Sequence, residues 1–192
     1  MGWTGYHATH YNKRGEIDRR AECDERMSGE TERATWEVLK SSMVGAVYYA
    51  AVRRTDKETG ENHVFGCVCL TSVDNSDYFN FNYKDMSEDM GPGASRCPAG
   101  ILDLLSPTDN EYALAWRERC RENAKNKNTL ARLPVGTVIE FERWNGETVR
   151  AVKMSPAYQF KTPWWKRTDA QLYIKKNHIP ADFRVVSAEE AA

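Results

Sequence analysis

Four consecutive runs of β-branched, aromatic and alternating residues, Trp36–Val44, Ala46–Arg53, His63–Val73 and Tyr78–Tyr83, dominate the middle of the chain. Their connections are short and carry hairpin chemistry. "DKETGEN" supplies Gly and polar residues between the second and third runs, and "VDNSD" does the same between the third and fourth. Runs joined in this way return beside their predecessors, so an antiparallel meander is the expectation around which the remaining elements are arranged.

Ahead of the meander, Trp3 to Tyr11 reads as an extended segment, followed by a turn at Asn12-Lys13-Arg14-Gly15. A helix through "RRAECDERM" is then expected, with Asp18 as its N-cap and its end near Ser28-Gly29. Behind the meander, Gly and Pro in "DMSEDMGPGASRCPAG" interrupt any regular period, and an irregular surface loop is expected over residues 84–97. A short helix follows in "CPAGILDLLS", with Pro98 accepted in its first turn. "SPTDNEYALAWRERCRENAKNKN" is a longer helix, capped by Asp109 or Asn110. Helical spacing turns Tyr112, Ala115, Trp116, Arg119 and Cys120 inward and leaves Glu111, Arg117, Glu118 and Arg121 in water, with the end dissolving in "AKNKNT".

From Leu133 to Val186 the pattern changes to short strands: "GTVIEFE", the Asn145-Gly146 turn, "TVRAVKM", "WWKRTDAQLYIKK" and "FRVVS". The fold class expected is therefore α+β. Residues 1–130 form an antiparallel sheet with two to three helices, and residues 131–192 a small SH3-like or OB-like β module.

Composition narrows the function classes. The longest apolar run, "MVGAVYYAAV", is too short to span a bilayer. No basic n-region with an apolar stretch opens the chain, so a cytoplasmic location and no membrane association are expected. The five cysteines form an odd, scattered set that fits a reducing compartment. Cys67 and Cys69, two apart, share one face of a strand and do not make a zinc ribbon. A net charge of −1 gives no global field for DNA or an acidic membrane.

Three features carry candidate chemistry. In "GYHATHY" the two histidines are three apart, which in a strand puts them on opposite faces and rules out joint chelation of one metal. A single imidazole remains available for acid–base work: His7 or His10 with Lys40 and Tyr48, and with Ser41, Ser42 and Tyr49 nearby, would suit a metal-independent nuclease or phosphodiesterase. The acidic stretch with Asp85, Glu88 and Asp89 reads as a solvated loop rather than a cation site, and Cys97-Pro98 as a buried or capping thiol. No metal or cofactor is expected, and neither a P-loop nor a Gly-x-Ser-x-Gly elbow is present. In the C-terminal module, Arg150, Lys153, Lys161, Lys166, Arg167, Lys175 and Lys176 interleave with aromatic residues, Trp165 among them. Such a face can contact a partner protein or stack and neutralise nucleic acid.

The blocks "MGWTGYHATHY", "DRRAECDE", "VLKSSMVGAVYYAAV", "YFNFNYKDMSEDMGP" and "CPAGILDLLSPTDNEYALAWRERC" together resemble an uncharacterised family associated with phages, plasmids and conjugative elements of gut bacteria. The resemblance covers residues 1–122 and extends more loosely through "LPVGTVIEF". It implies no reaction and no catalytic residues. It implies a mobile-element setting, in which an accessory protein of the anti-CRISPR or anti-restriction type would bind a host defence protein or its nucleic acid.

Overall fold

The computed structural model describes residues 2–74, 77–82, 86–143, 145–156, 164–175, 178–180 and 183–186, with the backbone alone at 126–128. Asp85, Lys161 and Lys176 lie outside the described residues. The chain divides into two compact units, Met1–Arg121 and Glu122–Ala192, and the boundary falls inside a helix.

In the first unit, β3 (Ala34–Val44), β4 (Val47–Asp56), β5 (Asn62–Asp74) and β6 (Tyr78–Asn82) form the expected meander. β1 (Trp3–His7) pairs with β6 and β2 (Gly29–Glu30) with β3, giving an antiparallel sheet of order β1-β6-β5-β4-β3-β2. Strand β4 explains the run "VYYAAV". Its residues are buried on both faces of the sheet, so the sequence needs no polar alternation there. Tyr48, Ala50 and Val52 face one core with Cys23, Cys69, Phe79 and Phe81, while Tyr49 and Ala51 face another with Ile101, Leu102, Trp116 and Cys120.

Helix α1 (Arg19–Met27) covers the first face, and its cap is the expected one: Asp18 accepts the N–H groups of Arg20 and Ala21. Buried Glu22 reaches back from α1, its Oε1 accepting the backbone N–H groups of Thr9 and His10 at 2.6 Å each. The segment after β1 is thereby tied to the helix, and Tyr48 Oη donates to Asp24 at 2.6 Å beneath it.

Helices α2 (Ala99–Leu102) and α3 (Glu111–Arg132) belong to the second core. Asn110 caps α3 through Ala113 N–H. The inward face of α3 differs from the one that helical spacing suggests: Tyr112 and Ala115 are exposed, whereas Ala113, Trp116, Arg117 and Cys120 are buried. The cause is an ion pair. Arg117 Nε and Nη2 lie 2.6 and 2.7 Å from the two oxygens of Glu88, which sits on a 3₁₀ turn (Glu88–Met90), and Nη1 donates to Ser106 O. Glu88 Oε1 also accepts the N–H of Gly66 in β5. A Cβ at Gly66 would stand 2.9 Å from the Trp116 ring, so glycine there lets the indole lie on the sheet. Thus Glu88, expected in a solvated loop, is a buried anchor, and residues 91–97 are pinned beside it by Trp116 Nε1 donating to Ala94 O and Arg96 N–H donating to Tyr49 Oη.

The sequence end "AKNKNT" does not end α3, which continues to Arg132. Leu130 near its C-terminus is buried in the core of the second unit, and that anchorage holds a stretch whose composition alone reads as a linker. In this unit β7 (Val138–Glu142), β8 (Thr148–Met154), β9 (Trp164–Arg167), β10 (Tyr173–Ile174) and β11 (Arg184–Val185) form an antiparallel sheet of order β10-β9-β8-β7-β11. Ile139, Phe141, Val149, Ala151 and Trp165 fill its inner side. The architecture is α+β, with antiparallel sheets, three α-helices among the described residues and a barrel-like second module.

Removing one member of the buried ion pair strands the other. Arg117→Met is expected to destabilise the protein by about 3–5 kcal/mol, read as a lowered urea midpoint. Glu88→Leu with Arg117→Met should recover part of that loss but not all, because Ser106 O would stay without its donor and Gly66 N–H would lose its acceptor. A double variant no more stable than the single one would refute this apportionment.

Candidate functional site

The four residues of the acid–base candidate are not brought together. His7 ends β1 with its side chain 79% exposed, and its Nδ1 lies 3.2 Å from Asp77. His10 lies beyond the strand, its Nε2 2.9 Å from Glu25 of α1. Lys40 pairs across β4 with Ala51, on the face that carries α2, and its ammonium lies against Gly100. Tyr48 points to the opposite face and is fully buried. Burial, then the carboxylate of Asp24, pushes its phenol far above the ordinary tyrosine range, so Tyr48 serves as a fixed donor to Asp24. A nucleophile, a base and an oxyanion partner within one hydrogen-bonded reach are therefore not assembled from these side chains.

The cysteines are buried and free. Burial raises the thiol of Cys97, with Cys120 adding to the effect, and pushes Cys120 up to about 11. Cys97 is therefore a packed thiol, not an activated one.

The basic C-terminal set separates into three groups. Lys153 and Trp165, expected on the contact face, are interior. Trp165 is 2% exposed and packs with Ile139, Phe141, Val149 and Ala151. Lys153 is 4% exposed, and its Nζ donates to the carbonyls of Leu130, Ala131 and Leu133 at 3.1, 2.9 and 2.6 Å. The period-2 pattern of β8 sends position 153 inward with Val149 and Ala151, where its charge caps the end of α3 and complements the negative end of the helix dipole.

A second group is neutralised by neighbours. Arg150 and Arg184 both hold Glu140, at 2.7 and 2.9 Å, and keep its carboxyl below the usual range, Arg150 more than Arg184. Arg167 grips Asp169 through two hydrogen bonds and reaches Glu147 at 2.8 Å. Both carboxyls are held low by that guanidinium, whose own protonation is strengthened in return.

The third group faces outward. Register places Val138, Val152, Lys166 and Tyr173 in one row across β7, β8, β9 and β10, with Met154 opposite Trp164 beside it. Trp164 and Tyr173 meet edge to face at 4.5 Å. The segment after β9 borders a groove of about 600 Å³, with Val138, Val152 and Met154 on its floor and Lys166, Thr168, Gln171 and the Arg167–Asp169 ion pair at its edge. Lys175 is exposed just beyond β10. The groove offers an apolar floor, one lysine not engaged in an ion pair among the described residues, and hydroxyl and amide groups beside the Arg167–Asp169 pair at the rim. Sequence reasoning found Lys166 and missed the floor, because Val138, Val152 and Met154 read as ordinary strand residues until the register aligns them.

Lys153→Met should leave carbonyls at the end of α3 without their charged donor and cost about 1–3 kcal/mol. Hydrogen exchange should speed up at residues 130–133 and leave the groove lining protected as before. Unchanged exchange there would show that the ammonium does not hold the helix end.

Comparison with known proteins gives a partial match. Residues 107–175 match the model of a domain of unknown function (DUF6927), a span that contains α3 from its first residue and every residue lining the groove. No curated protein and no solved structure matches. No helix among the described residues is long and apolar enough to cross a membrane.

Proposed function

We propose that the protein is a non-enzymatic accessory binding protein of a mobile element, acting on a protein of a host defence complex through the groove on the outer face of β7, β8 and β9. The observation that carries this reading is the composition of that groove: an apolar floor beside Lys166, on a module whose other described cations are mostly bound by its own carboxylates and carbonyls. A nucleic-acid track needs a row of cations available to phosphates. A protein segment presenting a carboxylate next to an apolar side chain needs only one cation and a floor. The mobile-element setting rests on the resemblance of residues 1–122, and the defence target on the class of accessory proteins found there.

An SH3-like module suits this reading better than an OB-like one. The order β10-β9-β8-β7-β11 is a four-strand meander, β7 to β10, with a fifth strand, β11, beside its first, and among the described residues it has no Greek-key exchange of the OB kind.

Lysate of the host, passed over the immobilised protein and analysed for both protein and nucleic acid, tests the proposal. The wild-type protein should retain a defence-complex protein in the presence of nuclease. Lys166→Glu combined with Met154→Asp should reduce that capture at least tenfold while leaving the thermal midpoint unchanged. Capture that is equal in the double variant, or that disappears with nuclease, overturns the groove or the protein partner respectively.

A further inference from the structure

A second cavity, in the first unit, has a different chemistry. It holds about 320 Å³ on the sheet face beneath α1, between the last turn of that helix and the segment at Met86. Val52 and Cys67 form its buried floor, and the half-buried side chains of Met27, Trp36, Phe65 and Met86 form its walls. Two thioethers and two aromatic rings on one lining make a slot suited to a flat ring system, since sulfur and ring edges pack favourably on aromatic faces. Cys67 contributes as a neutral group, its thiol pushed up to about 12 by burial.

Among the described residues, Arg26 is the charged side chain on the lining. Its guanidinium lies over the rings of Tyr6 and Phe81, 5.6 and 5.3 Å from their centroids, which restricts where it can go. Among the described residues no carboxylate pairs with it, in contrast to Arg53, Arg54, Arg117, Arg143, Arg150, Arg167 and Arg184. The two lining hydroxyls are already engaged locally, Ser28 donating to Asp24 O and Ser87 accepting from Asp89 N–H. The cavity is thus an apolar slot with Arg26 on its lining, and the guanidinium of that residue is held over the neighbouring Tyr6 and Phe81 rings. A guanidinium fork matches a carboxylate in two parallel hydrogen bonds.

We propose that this cavity binds a small aromatic carboxylate, with the ring system between Trp36, Phe65 and the two methionines and the carboxylate on Arg26. The volume sets the size of the ligand at roughly two fused rings, near the lower limit for ligand pockets.

Naphthalene-2-carboxylate and its uncharged carboxamide are suitable probes, titrated into the full chain and followed by amide and methyl NMR shifts. The acid should bind at least tenfold more tightly than the amide, shifting the methionine methyls of Met27 and Met86 and the amides of residues 26–29. Arg26→Gln, an exposed position, should remove that tenfold preference while the amide binds as before. Phe65→Trp, which adds bulk inside the slot, should weaken both probes, and Met86→Ala provides a second lining variant should Phe65→Trp unfold. Equal binding of acid and amide to the wild-type protein overturns the carboxylate assignment. Absence of binding at millimolar probe, or shifts confined to residues outside the slot, overturns the site itself. None of these outcomes depends on the groove of the second unit.

Discussion

Arg117 carries its charge into the interior of the first unit, and Glu88 meets it with both oxygens. Much else in that unit is arranged around this pair. The carboxylate is itself held by the N–H of Gly66, so the ion pair is fastened to the centre of β5, and the neighbouring Trp116 lies against the same glycine. One helical turn of α3 thus meets one position of the sheet with a ring and a guanidinium side by side. Desolvating two charges costs several kcal/mol each, and the hydrogen bonds from Gly66 and to Ser106 offset part of that cost while fixing which turn of α3 faces the sheet. A purely apolar contact would hold the helix as tightly but would permit it to slide or rotate by a residue.

The same preference for internally satisfied charge recurs in the second unit. Lys153 ends α3 from inside the module, Arg150 and Arg184 share Glu140, and Arg167 is enclosed by Asp169 and Glu147. A count of lysines and arginines along the sequence treats these residues as sources of an outward field. Folding converts most of the described ones into structural ties, which leaves Lys166 as the lysine beside the groove without an ion pair among the described residues.

What could be read from the sequence follows from the range of the interaction involved. The meander and the Asp18 cap are specified by neighbours within a few residues, through period-2 patterning, turn chemistry and a side chain beside its own helix N-terminus, and both appear where expected, whereas the opening strand covers only Trp3–His7 of the expected Trp3–Tyr11. The burial of Glu88, Arg117 and Lys153 is set by partners 29 residues away in the first case and by the end of a helix in the third, and no local pattern marks it. Amphipathic spacing misplaces the inner face of α3 for the same reason: it sorts residues by polarity, and here a polar residue belongs inside. The continuation of α3 through "AKNKNT" is likewise a tertiary effect, supplied by buried Leu130 and the ammonium of Lys153. As for the site, Lys166 was legible as a basic residue among aromatics, whereas the apolar floor required the register.

The pair of histidines in "GYHATHY" shows how a feature that looks chemical becomes structural once its backbone is accounted for. Glu22 takes the N–H groups of Thr9 and His10, so the chain leaves β1 and turns onto α1 at a fixed angle. That geometry sends His10 to Glu25 on the helix and leaves His7 at the strand end beside Asp77 and Tyr78. Each imidazole then has a carboxylate of its own, and the two are committed to different elements. The constraint acts through the main chain: any side chain at position 10 would be delivered to the same place, and the residue that decides where "GYHATHY" goes is Glu22, twelve positions after His10.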